Sequence, residues 1–242
     1  MKSAGLAYTE PTAVDAEMSG MAFSCTSDRQ ASRFGTHVAM AAWFSAVILI
    51  AMLSGCSPES SKPAAPEVKP AELLTARSAF QKMYIAAHLW SQDAKPYRLE
   101  ALITTDGNGH DGKWAEWRGS FASADKRLEK SYIWSGSAAS SAPERGVNPG
   151  IEDGYSAGNS STQIFDVAFL KIDSDQALAE AQKHGGEELL QKEPDTPVFY
   201  ICDWNRNTNT PVWHVIYGAS RETAKLTVAV DASTGFFLKV EK

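Results

Sequence analysis

Residues 226–240 read Leu-Thr-Val-Ala-Val-Asp-Ala-Ser-Thr-Gly-Phe-Phe-Leu-Lys-Val. Leu226–Asp231 is predicted as a strand, and Asp231-Ala-Ser-Thr-Gly235 as a turn whose glycine accepts positive φ. Phe236–Val240 then returns as a second strand. Upstream, Val198–Asp203 and Val212–Ala219 read the same way, so the four segments form an antiparallel meander. Before them lies a helical signal. Asp173-Ser174-Asp175 supplies an N-cap, and Leu178, Ala181, Gly185 and Leu189 keep helical phase over Gln176–Gln191. That phase predicts one helix running through Gly185-Gly186, with the glycines bringing it close to a sheet, and Pro194-Asp195 stopping it. Ile164–Ile172, with heavy apolar content, is predicted as a strand.

The preceding stretch reads similarly. Ala71–Gln92 carries Leu73, Ala76, Phe80, Met83, Tyr84, Ala87 and Trp90 at spacings of three and four, one apolar helical face ended by Pro96. Strands are predicted over Tyr97–Thr105, Lys113–Ala122 and Leu128–Ser135, the first two joined by the loop Asp106-Gly-Asn-Gly-His-Asp-Gly112. Gly136–Thr162, rich in Gly, Ser, Ala and Pro, is predicted as a long surface loop or partly disordered connection. Each half runs helix, strand, loop, strand, turn, strand. Trp114 precedes Gly119 by five positions, as Trp213 precedes Gly218. The order suggests a tandem duplication. The predicted class is α+β: two modules, 71–135 and 163–242, each a helix packed on a small antiparallel sheet, separated by the loop 136–162.

Pro197-Val-Phe-Tyr, Pro211-Val-Trp-His-Val and Val228-Ala-Val-Asp-Ala-Ser-Thr-Gly-Phe-Phe make the last third resemble PepSY-like domains. The resemblance implies a helix on a small antiparallel sheet. It also implies a module that binds or restrains partners, as in peptidase propeptides and cell-envelope proteins, with no catalytic residues to carry over. The first half matches less well, because its turn lacks the Asp-x-x-x-Gly pattern.

The N-terminal region gives an address. Val38–Leu53 contains no charge, and Arg29 and Arg33 precede it. A basic segment, an apolar run and small residues before a cleavage site form a secretory signal. At about 1.5 Å per residue, the run is short for a bilayer core of about 30 Å. Leu53-Ser54-Gly55-Cys56 resembles the lipobox of bacterial lipoproteins. That implies cleavage before Cys56, a diacylglyceryl thioether on its sulfur and acylation of its amine, usually with palmitate-type chains. Two or three chains anchor stably, since each buried methylene contributes about 0.8 kcal/mol. Residues 1–37 form an N-terminal extension and basic segment, 38–55 the apolar run and lipobox, and 56–70 the lipidated cysteine with a proline-rich tether. Met21 fits as the true start, leaving both arginines in a normal-length segment. Ser57 is permissive for outer-membrane sorting where the cell has two membranes.

Without Lys2, Arg29 and Arg33 and without Glu10, Asp15, Glu17 and Asp28, residues 56–242 keep 20 basic and 25 acidic side chains, net −5. That argues against a nucleic-acid partner and leaves no polybasic membrane patch. With Cys25 removed and Cys56 lipidated, Cys202 stands alone, so no disulfide staples the fold and its core must suffice. Five tryptophans, Trp90, Trp114, Trp117, Trp134 and Trp213, are candidates for that core, whereas Trp204 looks exposed.

Candidate chemistry is thin. Asp106-x-Asn108-x-His110 suggests an oxygen-rich calcium loop, but Asp111 and Trp117 occupy the positions where an EF-hand needs glycine and a bidentate acid. Cys202 and His214 are the only thiol–imidazole pair. With the turn centred near Asn207–Thr208, Cys202 faces Trp213 and His214 points to the other side, so Cys202 reads as a core residue. His184-Gly-Gly lacks an accompanying Gly-x-Ser-x-Gly nucleophile, and His184 and Glu188 lack the second histidine of a zinc helix. His88 reads as a rim residue of the first helix. Trp114, Trp117 and Trp134, on neighbouring strands, are the candidate binding surface. Trp114 and Trp117 differ by an odd number and so face opposite sides of a regular strand. No catalytic residue, cofactor or metal is called for.

The sequence therefore points to a lipid-anchored binding or regulatory module of the cell envelope, on the periplasmic or extracellular face. Its partners would be the membrane, through Cys56, and an envelope protein such as a peptidase. An envelope hydrolase with an unrecognised site and a structural envelope-assembly lipoprotein are the alternatives.

Overall fold

The computed structural model describes Lys69–Glu241. The secretory segment, the lipobox with Cys56 and the tether up to residue 68 lie outside the described residues.

The meander expected at the C-terminus is present. Strands β7 (Val198–Asn205), β8 (Thr210–Tyr217), β9 (Leu226–Asp231) and β10 (Phe237–Val240) pair antiparallel in succession. The first half builds a matching set: β1 (Leu74–Thr75), α1 (Ala76–Trp90), β2 (Lys95–Leu102), β3 (Lys113–Trp114), β4 (Glu116–Ser123), β5 (Leu128–Ser135) and β6 (Gly146–Gly154). The two sets are not separate sheets. β2 pairs with β7, giving one eight-stranded sheet in the order β10-β9-β8-β7-β2-β4-β5-β6, and β1 pairs with β3 apart from it. Both halves lie in one compact unit. The fold is thus α+β with one large antiparallel sheet, and the expected boundary at 136–162 divides no domains.

A helix followed by four sheet strands does recur in each half, and the seam relates them. Leu99 faces Cys202 across β2–β7; Leu99 also faces Gly119, and Cys202 also faces Trp213. The register therefore makes Gly119 the counterpart of Trp213. The Trp114–Trp213 match is coincidental, because Trp114 lies on β3, outside the large sheet.

One face of the sheet carries the helices. Alternation places Leu99, Trp117, Phe121, Tyr132, Trp134, Tyr200, Cys202, Trp213, Val215, Val228 and Val230 on that face, all buried. α1 presents Ala76, Ala79, Phe80, Met83 and Ala87 to it, a stripe at helical spacing. The helix starts several residues after the predicted Ala71 because Leu74–Thr75 pairs with Lys113–Trp114 instead.

Three other expectations are corrected. Gly136–Thr162 contains β6, a nine-residue edge strand paired with β5. No alternation announces it because its side chains are all at least partly exposed, and Pro149 is tolerated only on an edge. Ile164–Ile172 is not a strand but a strap with one short 3₁₀ turn, Val167–Phe169. Its amides bond elsewhere: Phe165 N–H to Pro96 O, and Lys171 and Ile172 N–H to Ala232 O. The second helix is broken. α2 (Ser174–Ala181) starts with a capping box between Asp173 and Gln176, as its N-cap promised. The chain then widens through 182–186, with Gly185 at φ 101°, before α3 (Glu187–Lys192). The glycines do bring the chain close to the sheet, since a Cβ on Gly186 would lie 2.0 Å from Tyr217 Oη. The same approach bends the helix there.

Candidate functional site

The opposite face of the sheet has no described helix on it. Its central strands carry Arg98 and Glu100 (β2), Arg118 (β4), Asp203 (β7) and His214 (β8). These charges are paired in a line. Arg118 Nη1 donates to Glu100 Oε1 at 2.9 Å, and Arg98 Nη2 to Asp203 Oδ2 at 3.1 Å. His214 Nε2 lies 3.3 Å from Asp203 Oδ1, and Nδ1 lies 2.7 Å from Glu241 Oε2. Phe199 and Ile201, both nearly buried, sit among them. The segment carrying Arg221 and Glu222 borders a groove of about 470 Å³ over this surface.

The network shifts the titration of its members. Burial opposes the charged imidazole of His214, but its hydrogen bonds to Asp203 and Glu241 and their charges raise its pKa above the ordinary value. Burial pushes the Asp203 carboxyl up; His214, Arg98 and Arg221 outweigh that and hold it below the usual range. Glu241 is lowered chiefly by its hydrogen bond to His214.

The sign of the pH dependence follows. A folded pKa raised above the unfolded one gives stability that is full below about 6.5 and is lost as pH rises through the folded pKa. The depressed carboxylates give stability above their unfolded pKa that is lost as pH falls through their folded values. We expect amides of β10 to exchange faster as pH climbs through and above 6.5, after correction for intrinsic exchange. His214→Gln should remove that extra slope and cost about 2–3 kcal/mol, since each lost bond joined charged partners. A β10 protection profile without a His214-dependent step would refute the assignment.

The groups facing the His214 ring nitrogens are carboxylates, not a hydroxyl or thiol nucleophile. Both nitrogens of His214 are committed to carboxylates, so neither is free to take a proton from a hydroxyl or thiol. Cys202 faces Trp213 on the helix-covered side, as the register reading predicted, and burial raises its pKa well above the usual thiol value.

The candidate aromatic surface is not one. Trp114 and Trp117 are fully buried and Trp134 is 2% exposed. Trp114 Nε1 donates to Val198 O and Trp117 Nε1 to Leu74 O. The odd spacing did not place the first two on opposite faces because the strand is interrupted: β3 ends at Trp114 and β4 begins at Glu116. The 106–112 loop is bound internally. Val198 N–H donates to Asn108 O, Tyr200 Oη to Gly109 O at 2.5 Å, and His110 Nε2 lies 2.7 Å from Thr196 O. Among the described residues no group of three His, Cys, Asp or Glu is placed to hold a metal ion, and no helix is long and apolar enough to cross a membrane. His184 stacks on Phe237 at 3.6 Å between ring centroids, a packing role. His88 packs beside Tyr84.

Sequence reading missed the charged line. Its members are spread over Arg98, Glu100, Arg118, Asp203, His214 and Glu241, and only strand register brings them together. The available signal was the charge alternation in Arg98-Leu-Glu100 beside apolar neighbours.

No protein-family model matches the chain, and no curated protein matches it. Among solved structures, the chain is similar to a protein described as a candidate lipoprotein (CD1622) of Clostridium difficile 630. The two are 12% identical, with 67% of this chain and 91% of that chain covered, at a TM-score of 0.44.

Proposed function

We propose that this chain is a lipid-anchored binding module of the cell envelope, without catalytic activity, that meets an envelope protein through the helix-free face of its sheet. The observation that carries the reading is the line of fixed charges on that face. Arg98, Glu100, Arg118 and Asp203 are paired and oriented before any partner arrives, which favours recognition by charge complementarity. The imidazole within the line is locked rather than reactive. Both sheet edges are poor docking sites: β6 carries Pro149, Glu152 and Asp153, and β10 is four residues long with Lys239. Leu53-Ser54-Gly55-Cys56 and the resemblance of the last third to PepSY-like domains supply the anchor and the partner class, an envelope peptidase among them.

The test uses the full chain with its own signal. Cys56→Ala is expected to move it from the membrane to the soluble envelope fraction. Crosslinking in intact cells should give a discrete adduct with the native chain and a several-fold weaker one with Arg118→Glu. Unchanged membrane retention of Cys56→Ala would remove the lipid anchor from the reading. Substrate turnover by the purified chain, abolished by His214→Gln, would replace binding with enzymatic action.

A further inference from the structure

A second pocket, of about 450 Å³, opens between the end of β2 and the segment after β5. It is built on Glu116, the first residue of β4, which the register places between Leu102 of β2 and Ser135 of β5. Glu116 is only 8% exposed. Its carboxylate makes no hydrogen bond or ion pair with any described residue, although it lines the cavity. The remaining lining includes the hydroxyls of Thr104, Ser137 and Ser141 and the apolar walls Ile103, Ala142 and Pro143; no lysine, arginine or histidine contributes. The residue is largely buried while it lines the cavity without a counter-ion, a setting in which a cationic partner is favoured. Burial, followed by the charge of nearby Asp106, holds its pKa above the usual carboxylate range.

Asp106 cannot be that partner and is itself engaged. Its Oδ2 accepts the Ser137 hydroxyl and the Ala138 amide, the latter at 3.2 Å. We propose that the Glu116 pocket binds an organic ammonium group on an aliphatic stem, of the lysine side-chain type. The ammonium offers three donors, which Glu116 and the neighbouring hydroxyls accept, while Ile103, Ala142 and Pro143 cover the methylenes. A bare divalent cation fits less well. It needs six or more oxygen ligands, commonly with several carboxylates, and here one carboxylate is free and much of the wall is hydrocarbon. The proposal does not depend on the partner-binding reading above.

The test is calorimetric titration of the full chain in detergent micelles with Nα-acetyl-lysine methylamide, with the norleucine analogue and calcium chloride as comparators. The lysine amide should bind and the norleucine analogue should not. Glu116→Gln should weaken binding at least about tenfold, the consequence of losing a charge-assisted hydrogen bond, with thermal unfolding unchanged or raised. Ala142→Phe, which occludes the cavity from its apolar wall and leaves Glu116 in place, should abolish binding and guards against a folding defect in the first variant. Absence of lysine-amide binding up to tens of millimolar, equal binding by Glu116→Gln, or Glu116-dependent binding of calcium alone would each overturn the ammonium assignment.

Discussion

Gly109→Ala is expected to destabilise the fold by about 4 kcal/mol or more, well beyond the 1–3 kcal/mol that overpacking a core typically costs. Gly109 sits at φ 76° in the 106–112 loop. A Cβ there would lie 1.8 Å from Val198 O and 2.6 Å from Trp114 Nε1. Val198 O is the acceptor for the Trp114 indole, and Val198 N–H bonds to Asn108 O. The obstruction is backbone at the start of a central strand, so no rotamer change relieves it. Left-handed backbone adds about 1–2 kcal/mol for a non-glycine residue, and displacement of the indole bond about 1 kcal/mol more. Urea unfolding of the native chain and the variant measures the sum. Gly154→Ala is the control: nothing lies within 4 Å of a Cβ there, and its effect should be near zero. A loss below about 1 kcal/mol at Gly109, no more than an ordinary surface substitution can cost, would falsify the account of the loop.

The second large effect is Trp213→Ala, with a cost of about 3–5 kcal/mol. Trp213 is fully buried on the helix-covered face, opposite Cys202 and Val230. Its Nε1 donates at 3.0 Å to Ile172 O, which fastens the 164–172 strap to the sheet. Truncation therefore leaves a cavity and a carbonyl without its donor. Trp213→Phe separates the two: it keeps most of the volume and loses the hydrogen bond, so it should cost about 1–2 kcal/mol. For a chain of this size each 1 kcal/mol lowers the melting temperature by roughly 2–4 °C. The two variants should therefore melt well apart. Equal melting temperatures would mean that packing at this position contributes little.

The meander and its neighbours were legible because each strand carries local evidence. Leu128–Ser135 and Leu226–Asp231 have the predicted bounds, since each is a short run rich in aromatic or β-branched residues bounded by turn residues. Cys202's position followed from a single turn centre. What depended on distant pairing was not legible. β6 has no buried stripe to reveal it, and only its hydrogen bonds to β5 make it a strand. The strap over Ile164–Ile172 has strand-like composition, yet its amides bond to Pro96 and Ala232. The helix break at Gly185 kept apolar phase on both sides, so periodicity could not detect it. The aromatic platform failed for a related reason: the stop between Trp114 and Glu116 resets the alternation. The charged line and the Glu116 pocket need the register of β2, β4, β7 and β8 before any of their members meet.

The seam between β2 and β7 also has a kinetic meaning. Arg98 and Asp203 are 105 positions apart in the chain, so β2 keeps one unpaired edge while everything up to β6 can already be in place. As the chain emerges amino end first, the early half must wait for the late half to close the middle of the sheet. Such distant closure is slow compared with forming hairpins, and a waiting central edge is a template for wrong pairing. Arg98 and Glu100 stand on that edge and place charges where a stray strand would have to dock. The charges that meet Asp203 and Arg118 in the finished sheet thus also discourage misassembly before it is finished.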